Sequence, residues 1–298
     1  VSPLQQEGFL NTESLATHHV SGCVAVGRDS VEWDLEIPED LRYDGIVILK
    51  PGLLGISGAY QEPQAALAQE GMATLRYPPA RDGDESWLES LEDPQGLHVQ
   101  TSLAIIADLQ ERQFEIAKRV PNGNRLDFGK FSLLLQSMAG FAGPRVALAM
   151  PSGIHGIYGF ATTGFRHPTP RELIEDVGHP RGFLHLARDV GSAFWSGGIA
   201  LSRQNAGDVF HYAKRLRFLF ETISCMRDDV IEEVGTLQDK GVPYIREVYG
   251  RDRLVRADPA TADQVTKQLV IEDAGHLALQ AKRNEVAARV ASAVLSFD

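Results

Sequence analysis

The run Gly45-Ile46-Val47-Ile48-Leu49, cut off by Lys50-Pro51-Gly52, holds no polar side chain and shows no alternation. Such a run is too short for a helix and reads as a strand buried on both faces, which requires a sheet covered by helices on both sides. Phe131-Ser132-Leu133-Leu134-Leu135 reads as a second buried strand. Helical patterning from Tyr60 to Gly71 leads into a short strand at Met72 to Tyr77, so a β-α-β unit is written into residues 45 to 77. From Leu97 to Val120, apolar residues including Val99, Leu103, Ile106, Leu109 and Ile116 recur at helical spacing, with charges opposite, which predicts a long amphipathic helix. Further strands are expected at Ile154 to Phe160, Tyr244 to Tyr249 and Gln268 to Ile271. A terminal helix carries Val286, Val290 and Val294, and a hairpin over residues 21 to 37 precedes the whole series. This alternation predicts an α/β fold with a mostly parallel central sheet and helices on both faces.

Residues 165 to 240 break the rhythm, with helical patterns such as Val209 to Met226, no strand, and aromatic residues including Phe183, Trp195, Phe210 and Phe218. The segment is expected to be a helical cap inserted into a core made of residues 1–164 and 241–298. A length of 298 residues fits one core domain with such an elaboration. The net charge of −11 argues against nucleic acid as a partner, because phosphate neutralisation needs a basic face. Cys23 and Cys225 are too few and too far apart for a disulfide framework or structural zinc. The first residues carry Gln5, Gln6 and Glu7 where a signal peptide needs an apolar stretch, and the oiliest segment, Phe131 to Met150, is broken by Gln136, Pro144 and Arg145. A cytoplasmic protein with no membrane contact is therefore expected; the oligomeric state is not legible.

Three segments carry candidate chemistry. Gln136-Ser137-Met138-Ala139-Gly140 puts a serine between a buried strand and a helix, where a tight, strained turn lifts the side chain out of the sheet and small neighbours are needed downstream. Taken alone, Ser137 also reads as a helix N-cap. Gly250-Arg251-Asp252-Arg253-Leu254-Val255 follows the strand Tyr244 to Tyr249, and Glu272-Asp273-Ala274-Gly275-His276 follows the strand Gln268 to Ile271. An acid and a histidine thus stand just past the carboxyl ends of predicted strands, where open α/β sheets hold their ligand sites. A serine nucleophile needs an imidazole to take its proton and a carboxylate to orient that imidazole, and both follow in order.

In these three segments the chain resembles the serine-nucleophile branch of the α/β-hydrolase superfamily, from about residue 22 to the end. The resemblance implies Ser137 as nucleophile, His276 as general base and later acid, and Asp252 as the acid that orients it. It also implies an oxyanion hole from the backbone N–H groups of Met138 and of Leu53, in the turn Pro51-Gly52-Leu53-Leu54. Two positions depart from the pattern. Pro51 replaces a usual histidine, and Leu135 replaces a usual glycine two residues before the serine, where a bulky side chain would crowd or widen the turn. The acid loop is one residue short, which leaves Glu247 as an alternative to Asp252.

The remaining histidines show no metal-ligand spacing, and no glycine-rich segment matches a nucleotide-binding pattern, so neither a metal nor a cofactor is expected. The function expected is cleavage of an ester, thioester or amide of a small molecule with an apolar or aromatic acyl part. Two alternatives stay open: acyl transfer on the same residues, and, because of Leu135, a ligand-binding protein of the same fold without turnover. Carbon–carbon bond cleavage and lyase chemistry are open as well.

Overall fold

The computed structural model describes residues 16–50, 57–78, 95–165, 229–252, 255 and 259–297. Eight strands form one sheet: β1 (Thr17–Val26), β2 (Asp29–Pro38), β3 (Ile46–Lys50), β4 (Ala73–Arg76), β5 (Phe131–Gln136), β6 (Ile154–Phe160), β7 (Tyr244–Tyr249) and β8 (Lys267–Ile271), in the order β1-β2-β4-β3-β5-β6-β7-β8. The hairpin β1–β2 joins the sheet antiparallel through β2 and β4, and every other pairing is parallel. All residues of β3 and β5 are buried, their apolar runs as expected and with them the polar Lys50, Ser132 and Gln136. The edge strand β8 has a mixed pattern, with Val270 exposed.

Helices cover both faces. On one side α2 (Gly96–Arg119), α3 (Ala139–Ala149) and α4 (Ile231–Asp239) enclose a core around Trp33, Ile48, Leu109, Phe131, Leu135 and Phe141. On the other, α1 (Gln61–Gln69), α5 (Ala278–Ala281) and α6 (Arg283–Val294) pack on Val47, Leu49, Leu134, Tyr158 and Phe160. The long amphipathic helix expected over residues 97 to 120 is α2, which puts Leu97, Ile105, Ile106, Leu109 and Ile116 inside. Of the segment expected as a cap, residues 166–228 lie outside the described residues. Both of its ends, Phe165 on one side and Val230, Val234 and Leu237 on the other, belong to the core beneath the sheet. Among the described residues no helix is long and apolar enough to cross a membrane.

Parallel strands point their carboxyl ends the same way, so the loops leaving β3, β5, β6, β7 and β8 meet along one rim. The candidate residues lie in these loops: Ser137 directly after β5, Asp252 after β7 and His276 after β8.

Candidate active site

Between β5 and α3 the chain reverses within two residues. Ser137 takes a φ of 53°, in the left-handed region that costs a non-glycine residue free energy and persists only where its surroundings impose it. The surroundings here are the loop after β6. Ser137 N–H donates to the Phe160 carbonyl at 3.1 Å, and the Ser137 carbonyl accepts from the Thr163 N–H at 3.1 Å and the Thr163 hydroxyl at 3.2 Å. Gly140 lets this loop approach: a Cβ there would come within 2.4 Å of the Thr163 carbonyl oxygen. The N–H groups of Gly140 and Phe141 close the first turn of α3 onto Ser137 and Met138. Met138 itself is buried at the start of that helix, where backbone N–H groups lack intrahelical acceptors. An N–H so placed suits a developing negative charge.

Leu135 does not crowd this turn. It is wholly buried in the core beneath α3, where Gly143 makes room for it; a Cβ at residue 143 would fall 2.2 Å from Leu135 Cδ1. The small residue that the elbow lacks on β5 is supplied from the facing helix.

The acid and histidine loops are laced together by backbone bonds, Gly250 N–H to the Ile271 carbonyl at 3.0 Å and Arg251 N–H to the Ala274 carbonyl at 3.1 Å. Across them, His276 Nδ1–H donates to Asp252 Oδ2 at 2.8 Å in a buried contact. The other oxygen of Asp252 accepts the Val255 N–H at 3.0 Å. A carboxylate on Nδ1 fixes the tautomer and leaves Nε2 as the proton acceptor. Glu247, the alternative acid, is engaged elsewhere. It is fully buried and accepts from Arg289 Nε at 2.7 Å, Arg289 Nη2 at 3.1 Å, and the hydroxyls of Tyr158 at 2.5 Å and Tyr249 at 2.9 Å.

Asp252 and His276 are thus brought together, and Ser137 stands at the end of the neighbouring parallel strands. Among the described residues no hydrogen bond joins the Ser137 hydroxyl to the His276 ring. The two loops are linked one residue upstream, where Gln136 Nε2 donates to the His276 carbonyl at 3.2 Å. Sequence reasoning passed over this contact, although a glutamine closing the apolar run Leu133-Leu134-Leu135 was its visible sign. Leu53 and its turn lie outside the described residues. Lys50, which ends β3 in register with Leu135, is also buried; its Nζ donates to the His98 carbonyl at 3.0 Å and to Ser102 Oγ at 2.7 Å. Burial pushes this amine down to about 7. Among the described residues no group of three or more His, Cys, Asp or Glu is arranged to hold a metal ion.

No protein-family sequence profile and no curated protein sequence matches the chain. Solved structures do. Proline iminopeptidase from Mycobacterium smegmatis superposes with a TM-score of 0.61 at 17% identity, over 93% of this chain and 98% of that one. The 2-hydroxy-6-oxo-6-phenylhexa-2,4-dienoate hydrolase of Rhodococcus sp. strain RHA1 gives 0.62 at 12% identity, over 93% and 99%. An esterase from Exiguobacterium antarcticum gives 0.59 at 13% identity, over 92% and 98%. The chain has the α/β-hydrolase fold. In an α/β-hydrolase sheet the elbow after β5 and the loops after β7 and β8 share the carboxyl rim, and here that rim carries a strained serine and a buried carboxylate–imidazole pair.

Proposed function

We propose that this chain is a serine hydrolase that cleaves an ester, thioester or amide through an acyl-enzyme on Ser137. The observation that carries the proposal is the buried Asp252–His276 hydrogen bond, in a loop tied through Gln136 to the strand end from which a serine with a left-handed backbone leaves the sheet. Ser137 Oγ attacks the substrate carbonyl carbon while its proton passes to His276 Nε2. Asp252 stabilises the imidazolium that results. The tetrahedral oxyanion accepts hydrogen bonds from the backbone N–H of Met138 and that of Leu53, each worth about 3 kcal/mol of barrier. Collapse expels the leaving group with the proton from His276, and water, deprotonated by the same imidazole, releases the acid. Closing the relay asks the Ser137 hydroxyl and the ring to approach, a contact that tightens in many enzymes only once substrate is bound. The aromatic residues between 165 and 240 suit an apolar or aromatic acyl group beneath a cap.

A fluorophosphonate probe should label the wild type on Ser137, and Ser137→Ala should abolish the label; a label surviving in that variant sinks the assignment. Hydrolysis of p-nitrophenyl esters of graded chain length would report the acyl preference. Adding an alcohol or amine and looking for its acylated product separates acyl transfer from hydrolysis. The non-catalytic alternative drew on Leu135, whose side chain is turned into the core rather than into the elbow.

A further inference from the structure

On the face of the sheet that carries α1, α5 and α6 lies a buried polar cluster that the proposed chemistry leaves unused. Gln136 immediately precedes Ser137, and Gln280 sits in α5; they are 3% and 2% exposed. Their amides are joined twice, Gln280 Nε2 donating to Gln136 Oε1 at 3.0 Å and Gln136 Nε2 to Gln280 Oε1 at 3.2 Å. Gln136 Nε2 also donates to the His276 carbonyl at 3.2 Å, and the Tyr60 hydroxyl donates to Gln136 Oε1 at 2.5 Å. Gln136 therefore uses both of its N–H groups and both lone pairs. A buried amide costs free energy for every site left unfilled, and filling these ties the nucleophile strand to a loop 140 residues further along.

We infer that the Gln136–Gln280 pair is a positioning device that sets where the His276 ring stands relative to the Ser137 hydroxyl; the inference rests on the serine-hydrolase reading above. His276 is held from two directions. Asp252 fixes the tilt of its ring, and Gln136 fixes the distance of its backbone from β5. Proton transfer depends steeply on the approach of ring and hydroxyl, and a misplacement of about 1 Å in the loop can cost on the order of 100-fold in rate. Neutral amides accomplish this without adding charge, whereas a carboxylate in their place would favour the imidazolium and deplete the base. The charges around the loop are Asp252 on the ring, Glu272 and Asp273 in the loop, Lys282 paired with Asp273 at 2.9 Å, and Arg251 beside Ala274.

The experiment compares Gln136→Leu, Gln280→Leu and the double variant in three measurements: the rate of Ser137 phosphonylation, kcat and KM separately on a p-nitrophenyl ester, and the NMR titration of His276 with labelled imidazole. Each single variant is expected to slow phosphonylation about tenfold or more, at a KM changed by no more than about twofold. The double variant should be no slower than the worse single one, because the two side chains form one device. Gln280→Glu should move the His276 titration upward by about one pH unit. Should Gln136→Leu not fold, Gln280→Leu and Tyr60→Phe load the pair from its other sides. Effects that multiply in the double variant, or losses of thermal stability with phosphonylation rate and titration unchanged, would overturn the inference. If the wild type itself takes no phosphonyl label, the serine-hydrolase reading fails; the pair is then judged by the His276 imidazole resonances in the neutral variants Gln136→Leu and Gln280→Leu, whose displacement from the wild type supports it and whose constancy refutes it.

Discussion

Glu247 on β7 and Asp252 in the loop that leaves it are both buried, yet their neighbours give them opposite capacities. Glu247 is saturated by a bidentate Arg289 and two phenols. Neither that guanidinium nor those phenols release a proton near neutral pH. The Glu247 carboxylate holds the Arg289 guanidinium even further above its ordinary range, and burial, reinforced by the same negative charge, pushes Tyr158 and Tyr249 well up. Asp252 instead meets, among the described residues, the Val255 N–H and an imidazole, a group whose ordinary titration lies near neutrality. The first arrangement can only hold the sheet to α6; the second can move a proton. What separates a structural carboxylate from a chemical one here is the titration range of its partner, since burial is the same for both.

The pair of substitutions Asp252→Asn and Glu247→Gln tests that difference directly. Asp252→Asn should lower kcat/KM by about 10⁴-fold with little change in melting temperature, because it disturbs the tautomer and the imidazolium while keeping the shape. Glu247→Gln should do the reverse. It strips a half-buried guanidinium of its counter-charge, and with Arg289 partly open to solvent the cost is about 2–4 kcal/mol in unfolding free energy by urea, at nearly unchanged kcat/KM per folded molecule. A large activity loss in Glu247→Gln with intact stability would reassign the acid role and erase the contrast.

How far the sequence speaks for these features differs with their range. The parallel sheet is legible because strands buried on both faces are mostly apolar, and β3 and β5 lie where their apolar runs predict; β7 lies behind the breaker Gly241-Val242-Pro243 as expected, although it buries Arg246 and Glu247. The order serine, acid, histidine was legible for the same reason, as each follows a strand end. The resemblance named Asp252 ahead of Glu247, but what separates the two was not legible, because it lies in partners contributed by β6, β7, α6 and the β8 loop. Leu135 teaches the same lesson. Read locally it threatens the elbow, but the compensating Gly143 lies about one turn into α3 and shows its purpose only when packed. Gly143→Ala should therefore destabilise by about 2–3 kcal/mol through overpacking, and Leu135→Ala in the same chain should recover part of that loss; thermal melts of the three variants check it. The Gln136–Gln280 contact was equally hidden, since neither residue signals its partner.

Lys50 extends the contrast to a cation with no carboxylate bonded to it among the described residues, only the His98 carbonyl, Ser102 Oγ and the Tyr77 ring at 5.7 Å. Burial holds its amine at about 7 in the folded chain, against an ordinary 10.5. Between those values the unfolded chain binds a proton that the folded chain does not, so this group makes stability rise with pH across that window; below about pH 7 the folded chain must enclose an ammonium, and its contribution is least favourable there. Lys50→Met removes the penalty together with two hydrogen bonds. It should be more stable than the wild type by about 1 kcal/mol at pH 6, with the advantage shrinking and then reversing toward pH 10, where the neutral amine's bonds to His98 and Ser102 count in full. Urea denaturation of both proteins at a series of pH values isolates the effect, because every other titrating group cancels in the difference. A gap that stays constant from pH 6 to pH 10 would mean that Lys50 keeps its charge within the fold, and that the His98 carbonyl and Ser102 Oγ do for this cation what the Glu247 carboxylate does for Arg289.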